Sequence, residues 1–228
     1  SEQAQQATIS HTASLAGSAT SADALLARLG VARVNSLAEM VEALKILHQV
    51  GPLAGKRLVS ASCSGGEASL MADTAHRQQN GVVFPALNQT QRDGLRSVLG
   101  EKVALANPLD YHTYIWGNLP AMADVYSAIL DAPIDFGIIV VDFPRADRCD
   151  GAAWDYVIEA AQIAQKRTSK AVALLASLPE NMPEDRALQI AKAGLVYTCS
   201  LSAGECADIG WAMLHTVGWF GHFECEAD

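Results

Sequence analysis

Positive charge is scarce in this chain: 16 Lys and Arg stand against 25 Asp and Glu, a formal charge of −9 over 228 residues. No Lys/Arg cluster interrupts that balance, so the footprint that neutralises a nucleic-acid backbone is missing and nucleic-acid binding is not expected. Long apolar runs are missing too. The longest, at residues 136–141 and 171–178, are strand-length, well short of the ~20 residues a membrane helix needs, so no bilayer-spanning segment is expected. Cysteines are few and unpaired in spacing. Cys63, Cys149, Cys199, Cys206 and Cys225 form an odd set without the short repeats of zinc ribbons or redox dithiols. Reduced thiols, a cytoplasmic setting and no metal site follow as expectations. The polar opening Ser1–Gln6 has neither an initiator Met nor the apolar core of a secretory signal, and the chain reads as a fragment. What is abundant is apolar content: half the residues are hydrophobic and 18% charged, which excludes a disordered chain.

Periodicity divides the chain in two. Residues 21–29 predict an amphipathic helix, 31–34 a short strand and 36–50 a longer helix, opened by a capping box of Ser36 and Glu39. Gly51-Pro52 stops that helix, and the segment 51–56 is the expected boundary. Residues 1–51 are therefore assigned to the tail of one α/β domain and 56–228 to a second domain. In the second, strands at 57–62, 82–84, 102–105, 136–141, 171–178 and 195–198 alternate with helices at 65–78, 88–99, 119–130, 151–167, 184–193 and 203–217. Strands that read as continuous apolar runs belong to sheets covered on both faces. The expected fold class is α/β, a doubly wound parallel sheet of flavodoxin-like type.

In such a sheet ligands gather where strand C-termini lead into helix N-termini. The first such loop is Ser62-Cys63-Ser64-Gly65-Gly66-Glu67. Its paired glycines let backbone N–H groups approach an anion at a positive helix end, making Ser64, Gly65 and Gly66 a candidate phosphate site. Ser64 and Glu67 fit a capping box equally well. The second loop, Asn107-Pro108-Leu109-Asp110, precedes Tyr111-His112-Thr113 and reads as a turn or as a polar wall of the same crevice, with Asn107 and Asp110 as supporting residues. His11 lies in Ser10-His11-Thr12-Ala13-Ser14-Leu15-Ala16-Gly17, where small neighbours leave an imidazole approachable as a nucleophile or base. His215, His222 and Cys225 lack a further ligand to complete a metal set, and Trp211, Trp219, Phe220 and Phe223 read as core or as a surface for missing chain.

These motifs together carry a resemblance. The segment from Ser10 to Gly17 is similar to the Ser-His-Thr-Gly-x-Leu-Ala-Gly element around the phosphorylated histidine of NDP-forming acyl-CoA synthetases, the superfamily of succinyl-CoA synthetase. The segment from Gly30 to Glu39, the Ser64-Gly65-Gly66 triplet and Asn107-Pro108-Leu109-Asp110 follow in the family's order and spacing. Two departures stand out: Ala13 replaces a glycine, and Gly65-Gly66-Glu67-Ala68 stands where Gly-Gly-Pro-Gly is common.

The resemblance implies the reaction acid + CoA + ATP to acyl-CoA + ADP + phosphate, through an acyl phosphate and a phosphohistidine. It makes His11 the phosphoryl carrier between acyl phosphate and ADP, with Ser64, Gly65 and Gly66 as one donor set. It further implies CoA and ATP/ADP as cofactors with Mg accompanying the nucleotide, a small carboxylic acid as substrate, and an oligomeric assembly. The CoA-binding and ATP-grasp domains of that family are not found in these 228 residues and would be partners. The contrasting expectation is a ligand-sensing, non-catalytic module of a protein acetyltransferase.

Overall fold

The computed structural model describes residues 2–12, 17–29, 31, 33–34, 36–77 and 82–199. Three helices come first: α1 (Glu2–Thr12), α2 (Ala19–Arg28) and α3 (Leu37–Gln49). The remainder alternates β1 (Leu58–Ser62), α4 (Gly65–Arg77), α5 (Gln89–Leu99), β2 (Leu109–Asp110), α6 (Leu119–Leu130), β3 (Phe136–Val140), α7 (Asp155–Thr168), β4 (Val172–Ala176), α8 (Glu184–Lys192) and β5 (Val196–Cys199).

Every residue of β1, β3 and β4 is buried, because neither face of these apolar strands meets water. The strands form one parallel sheet in the order β2-β1-β3-β4-β5, so the flavodoxin-like expectation holds. Alternate residues feed two cores. Val59, Ala61, Ile139, Leu174 and Ala176 meet α5 to α8 through Leu95, Met122, Val157 and Ile190. Leu58, Phe136, Ile138, Val140 and Leu175 meet α3 and α4 through Ile46 and Met71 on the other face.

The hydroxyl of Ser36 accepts from the Glu39 N–H at 3.1 Å, as the cap motif requires. Gly51, at φ 81, ends α3 in the left-handed conformation that glycine adopts without a Cβ clash. Although 51–56 breaks the secondary structure, α3 packs on the sheet that follows it. The Cys199 N–H donates to Glu42 Oε2 at 3.3 Å, and Lys45 Nζ pairs with Glu42 while lying 4.4 Å from the Tyr197 ring centre.

Three expected strands differ. Residues 31, 33 and 34 are not in a strand; among the described residues no ladder is offered to them. Residues 82–84 form one bridge, Arg57 to Val83, rather than a strand. The strand expected at 102–105 is irregular, and the ladder forms instead at Leu109–Asp110. The cause is Asn107. Its Oδ1 accepts from the Ser60 N–H at 3.1 Å and its Nδ2 donates to Leu58 O at 2.9 Å, so a side chain occupies the β1 edge before the backbone reaches it. The helix expected at 203–217, together with Trp211, His215, Trp219, Phe220, His222, Phe223 and Cys225, lies outside the described residues.

Candidate functional site

Strand order reverses between β1 and β3, since β2 lies outside β1 while β4 and β5 lie beyond β3. Helix α4, which follows β1, covers one face and α7, which follows β3, the other, so the loops leaving the two strands part and leave a crevice at their C-terminal ends. Ser64 marks the start of α4, its carbonyl accepting from the Ala68 N–H at 3.1 Å, and Gly65 and Gly66 are exposed in the first turn. The Ser62 hydroxyl donates to the same carbonyl of Ser64 at 2.9 Å, which fixes the turn leaving β1. A Cβ on Gly65 would sit 3.1 Å from Asp110 Oδ2, so the carboxylate that ends β2 leans directly over this glycine. Ser64, Gly65, Gly66 and Asp110 are thus neighbours at the C-terminal end of β1.

Glu67 faces the same place. Its Oε2 is buried and has no hydrogen-bond partner, so that oxygen closes no capping box onto Ser64. Burial, followed by the charges of Asp142 and Asp110, raises its carboxyl from the usual 4.5 to about 7. Asp142 follows β3 and is held from β4: its Oδ1 accepts from the Ser177 N–H at 2.7 Å and its Oδ2 from the Ser177 hydroxyl, while its carbonyl accepts from Trp154 Nε1 at 2.8 Å. Cys63 follows β1, and its thiol is pushed up first by burial and then by the Glu67 charge, which makes it a poor nucleophile. Beneath the site the Tyr111 and Tyr126 hydroxyls meet at 2.9 Å, and both phenols are raised chiefly by burial.

The second loop splits in role. Asn107 turns its carboxamide onto the backbone of β1 and donates also to Pro85 O at 3.0 Å, so it builds the sheet edge rather than lining the crevice. Asp110 faces the crevice. Its Oδ1 accepts from the His112 N–H at 2.9 Å and its Oδ2 lies 3.9 Å from His112 Nε2. His11 falls within α1, and its side chain lies outside the described residues. Among the described residues no group of three or more His, Cys, Asp or Glu is arranged to hold a metal ion, and no helix is long and apolar enough to cross a membrane. Reading the sequence missed Glu67 as a member of a carboxylate cluster, and Asp142 and His112 altogether. A carboxylate just past an apolar strand was the available signal for Asp142.

Residues 1–47 match the family described as the succinyl-CoA ligase like flavodoxin domain. In structure the chain is similar to a protein of Pyrococcus horikoshii OT3, with a TM-score of 0.72 at 21% identity, covering 89% of this chain and 45% of that one. It is also similar to acetyl-coenzyme A synthetase 1 of Ca. Korarchaeum cryptofilum, described as dinucleotide forming. The form in complex with phosphate and ADP gives a TM-score of 0.75 at 19% identity over 100% of this chain and 47% of that one. The apo form gives 0.71 at 18% identity over 96% and 45%. The chain spans less than half the length of these proteins. At such identities the structural likeness is one of fold, and it agrees with the resemblance carried by the motifs.

Proposed function

We propose that this chain is part of an NDP-forming acyl-CoA synthetase that converts acid, CoA and ATP to acyl-CoA, ADP and phosphate. In the synthetic direction a His11 imidazole nitrogen bonds the γ-phosphorus as the P–O bond to ADP breaks. A carboxylate oxygen of the acid then takes the phosphoryl group as the P–N bond breaks, and the CoA thiolate displaces phosphate from the resulting acyl phosphate. The observation that carries this reading is the pairing of the His11 motif, inside the matched residues 1–47, with a Gly-Gly helix start at the strand-order reversal.

What these residues offer the chemistry is an approachable helix N-terminus. Gly65 and Gly66 present exposed backbone without side chains, and a partly buried helix end favours an anion by up to ~2 kcal/mol. Glu67 is less of an obstacle than its charge suggests. Its carboxyl is raised from 4.5 to about 7, so it holds a proton near neutrality far more readily than a free glutamate. CoA and the Mg-nucleotide would bind on domains outside these 228 residues. We place the protein in the cytoplasm, in an oligomeric assembly, acting on a small carboxylic acid.

One observation favours the alternative, a ligand-sensing module of a protein acetyltransferase: Glu67, Asp110 and Asp142 all bring negative charge to the proposed phosphoryl site. The two readings separate with γ-labelled ATP and the protein carrying its nucleotide-binding domain. Base-stable, acid-labile label on wild type and none on His11→Ala supports the synthetase. Absence of label from both, with ATP bound, supports the sensor.

A further inference from the structure

Helix α3 carries apolar side chains on two opposite sides. One side, turned to the sheet through Ile46, buries Glu39, Glu42 and Ala43 as well. On the other side Leu37, Met40, Val41 and Leu44 follow the i, i+3, i+4, i+7 spacing of a single stripe, and they are 77%, 42%, 51% and 54% exposed. Single exposed apolar residues are ordinary on a protein surface, whereas four large ones on one stripe mark a face that another element covers. A helix at the outside of a fold turns its charge to water; α3 keeps two glutamates inside and leaves leucines outside. We propose that residues 203–217 dock as an amphipathic helix on this outward face, which makes α3 an interior helix of the chain.

The place where the described residues end argues for this occupant. Cys199 closes β5, and its N–H donates to Glu42 Oε2 at 3.3 Å, so residue 200 departs from beside α3. The sheet face next to β5 is already taken, since Val196 and Leu175 share one core with Ile46 of α3. An extended chain advances ~3.3 Å per residue, so residues 200–202 reach about 10 Å, the width of a helix, and carry residue 203 round to the outward face.

Pattern and length agree with that path. On a helical projection Cys206, Ile209, Met213, Leu214 and Val217 fall on one side, and Glu205, Asp208 and His215 on the other. At ~1.5 Å per residue a helix over 203–217 runs for ~22 Å, longer than the ~10 Å from Leu37 to Leu44, so it spans the whole stripe. A segment tied to β5 by so short a link meets α3 at an effective concentration on the order of millimolar, which a second copy of the chain does not match in dilute solution.

The test is amide hydrogen exchange of the 228-residue chain, read segment by segment. Expected in wild type is protection of residues 203–217 that does not depend on protein concentration. In the double variant Met40→Glu, Leu44→Glu exchange there should be at least tenfold faster, with β3 and β4 unchanged. Leu44→Ala removes contact without adding charge; it should raise the same exchange by a smaller factor, and it decides the matter if the double variant fails to fold. Residues 203–217 unprotected in wild type would overturn the proposal, as would protection that survives the α3 substitutions. Protection that appears only as concentration rises, with a dimer in sedimentation, overturns it too and gives the face to a second copy of the chain.

Discussion

Replacing Glu67 with glutamine tests the electrostatics of the crevice directly. The carboxyl lies among Asp110, Asp142 and a half-buried wall, and is raised from 4.5 to about 7. At 1.36 kcal/mol for each pH unit, this places an upper bound of ~3.4 kcal/mol on the penalty against the ionised form. Glu67 keeps substantial contact with water, so screening reduces the expected penalty to roughly 1–2 kcal/mol. Below pH 4.5 the folded and unfolded chains both hold the proton, and the group contributes nothing to the balance. Between 4.5 and about 7 the unfolded chain ionises while the folded chain still binds its proton, so wild-type stability falls as pH rises through that window. Above it the penalty is complete. Glu67→Gln carries no such charge, so its stability relative to wild type should rise by ~1–2 kcal/mol between pH 4 and pH 8. Urea unfolding of both proteins at the two pH values measures that difference, and any constant offset from the carboxamide's own packing cancels. A gap that does not change with pH would refute the reasoning, because the carboxylate would then be as well solvated folded as unfolded.

Two further substitutions probe the scaffold beneath the site. Asn107→Ala should destabilise the protein by ~2–3 kcal/mol in urea unfolding, since it strips hydrogen bonds from Ser60 N, Leu58 O and Pro85 O and leaves β1 edge groups unpaired. Tyr126→Phe should cost ~1–2 kcal/mol by orphaning the buried Tyr111 hydroxyl; adding Tyr111→Phe should cost less than the sum of the single changes, and a double-mutant cycle that is strictly additive would contradict the pairing.

How far the sequence is legible depends on the range of the interaction that decides each feature. Helix α6 was expected at residues 119–130 and is observed at Leu119–Leu130, because Asn118 caps it and Met122, Val125, Tyr126, Ile129 and Leu130 recur along one buried face. The central strands were equally legible, since a run such as Phe136–Val140 has no solvent-facing alternative. The short edge strand was not. Residues 102–105 and 109–110 compete for one place beside β1, and the contest is decided by the Asn107 carboxamide binding backbone groups 47 and 49 positions earlier. Glu67 shows the same limit at the site. Locally it fits a capping box with Ser64, yet one of its carboxylate oxygens is buried unpaired in a field set by Asp110 and Asp142.

The reversal of strand order explains why these charges meet at all. Adjacent parallel strands β1 and β3 send their following helices to opposite faces, so Glu67 and Asp142 approach from two walls while β2, on the other side of β1, delivers Asp110. Any chain with this topology brings three strand ends to one crevice, and the residues it places there determine the sign of the ligand. Three carboxylates alone would repel an anion. One feature lessens that repulsion: burial, then the charges of Asp142 and Asp110, raise the Glu67 carboxyl to about 7, so it gives up its charge far more readily than a free glutamate. Acidification neutralises that carboxyl and leaves two charges where there were three. On the phosphoryl-transfer reading, protonation of Glu67 should therefore strengthen anion affinity at the start of α4 as pH falls through about 7, whereas a cation bound there would be released.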